Sequence, residues 1–273
     1  TQSRSSAASD VYKRQYLARP DAAINGRSVY ESRVEMGRQL AQEQPVEADI
    51  VIPVPESGTP AAVGYAEGSG IPFGQGFVKN AYVGRTFIQP SDTLRQLGLR
   101  LKLNVQQHVV AGKRVVVVDD SIVRGNTQRA IVRMLKEAGA AEVHVKISSP
   151  PVKWPCFYGI DFATRAELIA NGAVEEEIAA SIGADSLAYI SEDGMIAATG
   201  QQRERLCTAC FTGRYPIDLP DESERGKSLL EGGRATPASE PTEASAVVGK
   251  TGCEPGPDAE MEAMTTETDR TAL

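Results

Sequence analysis

Apolar and polar positions divide the chain into three stretches. Residues 1–15 show no hydrophobic period, residues 16–220 alternate short apolar runs with helical stripes, and residues 221–273 contain no Phe, Tyr or Trp. In the middle stretch, Ala48–Pro55 and Arg114–Val118 are apolar, β-branched runs. Runs of that kind read as strands buried on both faces, which belong in a parallel sheet. Val29–Glu43 carries Val29, Arg33, Met36, Gly37 and Leu40 at helical spacing and stops before Pro45, as an amphipathic helix should. Ala61–Gly68 predicts an Ala-rich helix, and Gln128–Ala138 a second amphipathic one through Ile131, Val132 and Leu135. Ala141–Ser148 reads as a strand because Val143, Val145 and Ile147 alternate with polar positions. Further on, Ala166–Asn171 and Val174–Ile182 read as short helices and Leu187–Ile190 as a late strand or turn; Asn25-Gly26 marks an early turn. The predicted class is α/β with a parallel sheet.

Composition changes this picture at the two ends. The net charge is −7 over 273 residues, but residues 221–273 hold twelve acids against five Lys or Arg, which accounts for all of it. The remainder is balanced, so no nucleic-acid surface is expected. With no aromatic residues and many Glu, Thr, Pro, Ala and Gly, residues 221–273 read as a disordered acidic tail. Residues 1–15 join abruptly to the patterned text at Tyr16 and read as a non-native leader, with a natural disordered arm as the alternative. No apolar run approaches the roughly 18 residues that span a bilayer, and the reading is a soluble, cytoplasmic protein. Four cysteines, Cys156, Cys207, Cys210 and Cys253, are too few for a disulfide scaffold and point to metal or redox chemistry.

The candidate chemistry sits where strands end. The run Arg114–Val118 leads into Asp119, Asp120, Ser121, Ile122, Val123, Arg124, Gly125, Asn126 and Thr127. Two carboxylates at the C-terminal end of a parallel strand lie where open α/β sheets bind ligands. A small-residue loop opening a helix offers free N–H groups and the positive helix end, a cradle for phosphate. Acids beside such a cradle suggest a phosphorylated sugar, the carboxylates holding ribose hydroxyls or Mg²⁺. A plain buried strand followed by an Asp cap is the bland alternative. Glu56-Ser57-Gly58 repeats the strand, loop and helix arrangement after Ala48–Pro55. Between these loops, residues 74–104 mix cations and aromatics, including Lys79, Arg85, Thr86, Arg95, Arg100 and Lys102. That composition suits a mobile lid over an anionic substrate, or else a solvated basic hairpin.

The blocks Tyr16–Asp21, Val51–Gly58, Lys79–Ile88, Val117–Thr127, Pro155–Asp161 and Cys207–Pro216, in this order, resemble the amidophosphoribosyltransferase family over about residues 16–220. These enzymes have a type I phosphoribosyltransferase fold. The resemblance implies Mg²⁺ at Ser57, Asp119 and Asp120, the 5-phosphate of phosphoribosyl pyrophosphate (PRPP) at Ser121–Thr127, and pyrophosphate at Glu56–Gly58. Lys79 also falls among its PRPP-binding positions, and Arg85, Thr86 and Lys102 among the catalytic positions of its lid. Glu56 stands where the family often has Asp, and Asn126 where it often has Thr. Cys156, Cys207 and Cys210 match three ligands of the 4Fe-4S cluster of one branch; the fourth position is Asp10, so the cluster is expected to be incomplete.

The resemblance further implies a reaction of PRPP with ammonia, feedback by purine nucleotides, and a homo-oligomer in the parent protein. The family's glutaminase half, with its N-terminal cysteine nucleophile, has no counterpart here, since the first cysteine is Cys156. Use of free ammonia in place of glutamine is therefore expected. A protein of the same fold that senses PRPP or nucleotides without turnover is the alternative, distinguished by binding without product.

Overall fold

The computed structural model describes residues 9–10, 18–80, 103–157 and 164–216. Packing divides the chain between Pro220 and Asp221, and every described residue lies in the first unit. In chain order the elements begin with β1 (Ser9–Asp10), β2 (Ala23–Ile24), β3 (Arg27–Ser28), α1 (Val29–Glu43), β4 (Ile50–Pro53) and α2 (Thr59–Ser69). Then come β5 (Phe77–Lys79), β6 (Leu103–Val105), α3 (Gln107–Val110), β7 (Arg114–Asp119), α4 (Asn126–Glu137) and β8 (Glu142–Ile147). The series closes with α5 (Glu175–Ile182), β9 (Ser186–Tyr189), α6 (Glu192–Thr199), β10 (Leu206–Cys207) and α7 (Ala209–Thr212).

The central sheet is parallel, in the order β4-β7-β8-β9. Its register pairs Val51 with Val116 and Asp119 with Ile147, and Ile147 in turn with Tyr189. Both faces are covered, as β-branched strands in a parallel sheet require. On one face Val115, Val117, Val143 and Val145 pack with Ile131, Leu135, Ile178 and Ile182 from α4 and α5. On the other, Val51, Val116 and Val118 pack with Met36, Leu40, Tyr65 and Met195 from α1, α2 and α6.

Local chemistry sets the element ends. Ser28 caps α1 by accepting a hydrogen bond from Glu31 N–H at 3.3 Å, and α2 opens with Pro60 in its first turn. The Asn25-Gly26 turn has positive φ at both residues and joins β2 to β3. α1 and α2 touch backbone to backbone: a Cβ on Gly37 would lie 1.9 Å from Ala61 O, and one on Gly64 1.8 Å from Val34 O.

Several expectations hold and some need correction. α1 has the predicted bounds, while α2 and α4 each start two residues earlier than predicted. β8 was predicted to alternate, yet His144 and Lys146 are buried along with the valines, because helices cover both faces. His144 is structural, its ring nitrogens 2.9 Å from Ser186 Oγ and from Glu142 Oε2. The predicted helix over 166–171 is one 3₁₀ turn, Arg165–Glu167. Glu167 accepts from the N–H and hydroxyl of Thr164, Leu168 is extended, and a second turn follows in which Asn171 N–H donates to Leu168 O at 3.0 Å, with Leu168 and Ala170 in opposite core clusters. Helix α6, capped by Ser191, lies where no element was predicted.

Candidate functional site

The C-terminal ends of β4 and β7 carry the two loops singled out above. After β4, residues 54–58 fold back onto β7. Val54 N–H donates to Val118 O at 2.9 Å and Gly58 N–H to Val54 O at 3.0 Å. A Cβ on Gly58 would lie 2.3 Å from Val118 O, so only glycine lets this loop settle so low. The Pro55–Glu56 peptide is cis. Glu56 pairs with Lys79 at 3.2 Å.

Asp119 ends β7 inside the protein, 5% exposed, and Asp120 beside it is 5% exposed. Three groups bind the Asp119 carboxylate. Oδ1 accepts from Asp120 N–H at 2.8 Å and lies 3.4 Å from the Ser57 hydroxyl; Oδ2 accepts from Gln128 Nε2. Ser148 N–H holds the Asp119 carbonyl at 3.0 Å. Asp120 Oδ1 accepts from Ser121 N–H at 2.8 Å.

Burial drives the Asp119 carboxyl well above the usual range, and the neighbouring Asp120 charge adds to it. Burial also pushes Asp120 up to about 6, against the opposing pull of hydrogen bonds and of Arg33. Two buried acids with raised affinity for protons also favour a cation in their place. Asp119, Asp120 and Ser57 offer only oxygen donors, the set a hard ion such as Mg²⁺ takes with few protein ligands and substrate oxygens.

Residues Ser121–Gly125 lead into α4. Ile122 is buried, Arg124 pairs with Glu167 at 3.2 Å, and Ile169 N–H donates to Val123 O at 2.9 Å. Gly125 has φ +76° and closes on Ile169, whose Cδ1 would lie 2.5 Å from an added Cβ. Asn126 and Thr127 form the first turn of α4, which contains no acidic residue. No side chain caps this end of the helix, and its positive pole opens on the loop, a placement that suits an anion.

The structure therefore gathers Glu56, Ser57, Gly58 and Asp119–Thr127 at the ends of two adjacent strands, and Lys79 of β5 joins them through its pair with Glu56. Arg85, Thr86 and Lys102 lie outside the described residues. Gln128 and Arg33 were not recognised as part of the site. The available signal was a polar residue on an otherwise apolar helical stripe, since Gln128 continues the spacing of Ile131, Val132 and Leu135.

The cysteines form a separate region. Lys153 and Trp154 N–H both donate to Cys210 O at 3.0 Å, which ties the Cys156 loop to α7. Tyr215 OH donates to Pro155 O at 2.7 Å, and the Arg165 guanidinium stacks on Trp154 at 3.7 Å. β10 pairs in parallel with β1, which sets Asp10 opposite Cys207. Among the described residues no group of three His, Cys, Asp or Glu side chains is placed to hold a metal ion.

Residues 34–148 match the phosphoribosyl transferase domain family. The chain is 66% identical over 226 residues to the amidophosphoribosyltransferase of Mycobacterium tuberculosis, covering 81% of this chain and 43% of that protein. It is 55% identical over 208 residues to the Bacillus subtilis amidophosphoribosyltransferase, covering 75% and 44%. The solved glutamine PRPP amidotransferase of B. subtilis, complexed with ADP and GMP, superposes with a TM-score of 0.71 at 53% identity, covering 78% of this chain and 48% of that one. The chain thus spans a little under half the length of the relatives it matches. The acid pair and the two loops lie within the residues that match the phosphoribosyl transferase domain family, and the likeness of the chain runs to the phosphoribosyltransferase portion of the amidophosphoribosyltransferases.

Proposed function

We propose that this chain binds PRPP and transfers its phosphoribosyl group to ammonia, forming 5-phosphoribosylamine and pyrophosphate, the first step of purine synthesis. The observation that carries this reading is the junction of Ser57, Asp119 and the N-terminus of α4 at one end of the sheet. Relatives named for the same reaction support it.

The roles follow from charge and placement. Residues 121–127 hold the 5-phosphate on backbone N–H groups and the helix end. Asp119 and Asp120 face the ribose, and Glu56–Gly58 with Lys79 line the pyrophosphate side. Mg²⁺, which Asp119, Asp120 and Ser57 would hold, supplies positive charge against the leaving pyrophosphate. Arg85, Thr86 and Lys102 act from the lid, excluding water as the anomeric carbon gains positive character. Neutral ammonia is already a nucleophile, so the site needs no general base.

Purine nucleotides are proposed inhibitors, in keeping with the ADP and GMP of the B. subtilis complex. The parent enzyme is proposed to work as a homo-oligomer in the cytoplasm; no helix among the described residues is long and apolar enough to cross a membrane. Cys156, Cys207 and Cys210 are proposed as the thiolate side of an iron–sulfur site that lacks its fourth ligand, and no step depends on it.

The test is PRPP-dependent phosphoribosylamine formation by the purified chain with each nitrogen donor. Ammonia should support turnover and glutamine should not. Binding of PRPP without product from ammonia would replace the enzyme reading with that of a sensor.

A further inference from the structure

We infer that Gln128 is a positioning residue for the acid pair, coupling the phosphate end of α4 to the carboxylate that closes β7. This rests on the PRPP reading of the site. Gln128 sits in the first turn of α4, one residue after the phosphate loop, and is 2% exposed. Its Nε2 donates to Asp119 Oδ2, while its own Oε1 is buried with no hydrogen-bond partner.

That imbalance is informative. A buried acceptor without a donor costs free energy, so an apolar side chain of similar length would suit the position better if filling space were its only task. The neighbours Ile131 and Leu135, on the same stripe of α4, do fill space and are fully buried. The amide earns its place through Asp119.

The geometry gives that bond a purpose. Asp119 Oδ1 faces Ser57 and Asp120 N–H, which fixes one edge of the carboxylate from the β4 side. Gln128 fixes the other edge from the α4 side. The plane of the carboxylate is then set by the two phosphate-binding loops together, and neither loop can shift without turning it. An aspartate held only on the Ser57 edge would rotate about its Cβ–Cγ bond and lose its aim at the ribose. Substrate binding depends on such aim more steeply than folding does.

The experiment compares the unmodified chain with Gln128→Leu and Gln128→Glu, measuring the dissociation constant for PRPP with Mg²⁺, KM and kcat with ammonia, and the thermal midpoint. Gln128→Leu keeps the volume and removes the donor. It should raise the dissociation constant and KM about tenfold, change kcat less than about threefold, and leave the thermal midpoint unchanged or higher. Gln128→Glu places a like charge against Asp119 and should weaken binding further, with Mg²⁺ recovering part of the loss.

Equal PRPP affinity in Gln128→Leu and the unmodified chain would overturn the inference alone, leaving the proposed function standing. A parallel fall in thermal midpoint and affinity would also overturn it, in favour of a packing role. An unmodified chain that binds no PRPP with Mg²⁺ would overturn the functional reading, and this inference with it.

Discussion

Asp120 shows how binding chemistry and folding oppose one another in a single side chain. An unfolded aspartate ionises near 4, whereas burial holds Asp120 at about 6 in the fold. Between those values the unfolded chain has lost its proton and the folded one has kept it. Stability therefore falls as pH rises from about 4 to about 6 and stays lowered above that range. Asp120→Asn keeps an oxygen for Ser121 N–H and removes the charge. It should raise unfolding stability at pH 7.5 by about 2 kcal/mol, show no gain at pH 4, and abolish Mg²⁺-dependent PRPP binding. Chemical denaturation at the two pH values, with a binding titration, checks all three. The motif itself was legible because two acids after a β-branched run are unusual in sequence. Gln128 and Arg33 were harder, since each is one polar residue in an apolar stripe, and sequence alone does not tell which carboxylate it meets.

α1 and α2 depend on the absence of side chains. Gly37 and Gly64 bring the backbones into direct contact, each occupying a place where a Cβ would stand within 2 Å of a carbonyl oxygen. Gly64→Ala should cost about 3 kcal/mol by forcing the helices apart, and because α2 begins at the Glu56–Gly58 loop, PRPP affinity should fall with it. Calorimetric unfolding alongside a binding titration measures both; an unchanged midpoint would contradict the close crossing. Strongly periodic elements such as α1 were readable to their last residue. Those fixed by tertiary contacts were not. The 166–171 segment has helix-forming residues, yet the opposed burial of Leu168 and Ala170 breaks it into two separate turns. β8 lost its expected alternation for a related reason, since layers on both sides bury polar positions as well as apolar ones.

For the molecule as a whole, the order of the motif blocks could be read along the chain, while their meeting in space could not. Nothing local announces that Trp154 rests on Gly213, where an added Cβ would lie 2.6 Å from the indole, or that the Cys156 loop hangs on Cys210 O. That region allows a whole-chain measurement: after anaerobic reconstitution, iron and sulfide should fall well short of four of each per chain, and full stoichiometry would show a fourth ligand in place. The β5 and β6 pair carries a different consequence. Lys79 is matched with Leu103 across these strands, so the chain leaves this two-stranded sheet and re-enters it at neighbouring positions. Any chain that joins two paired strand ends can change length at a closing cost that grows only slowly. Descendants of this gene are therefore free to lengthen or trim what joins Lys79 to Leu103, while the pairing of β5 with β6 inherits no obligation to change.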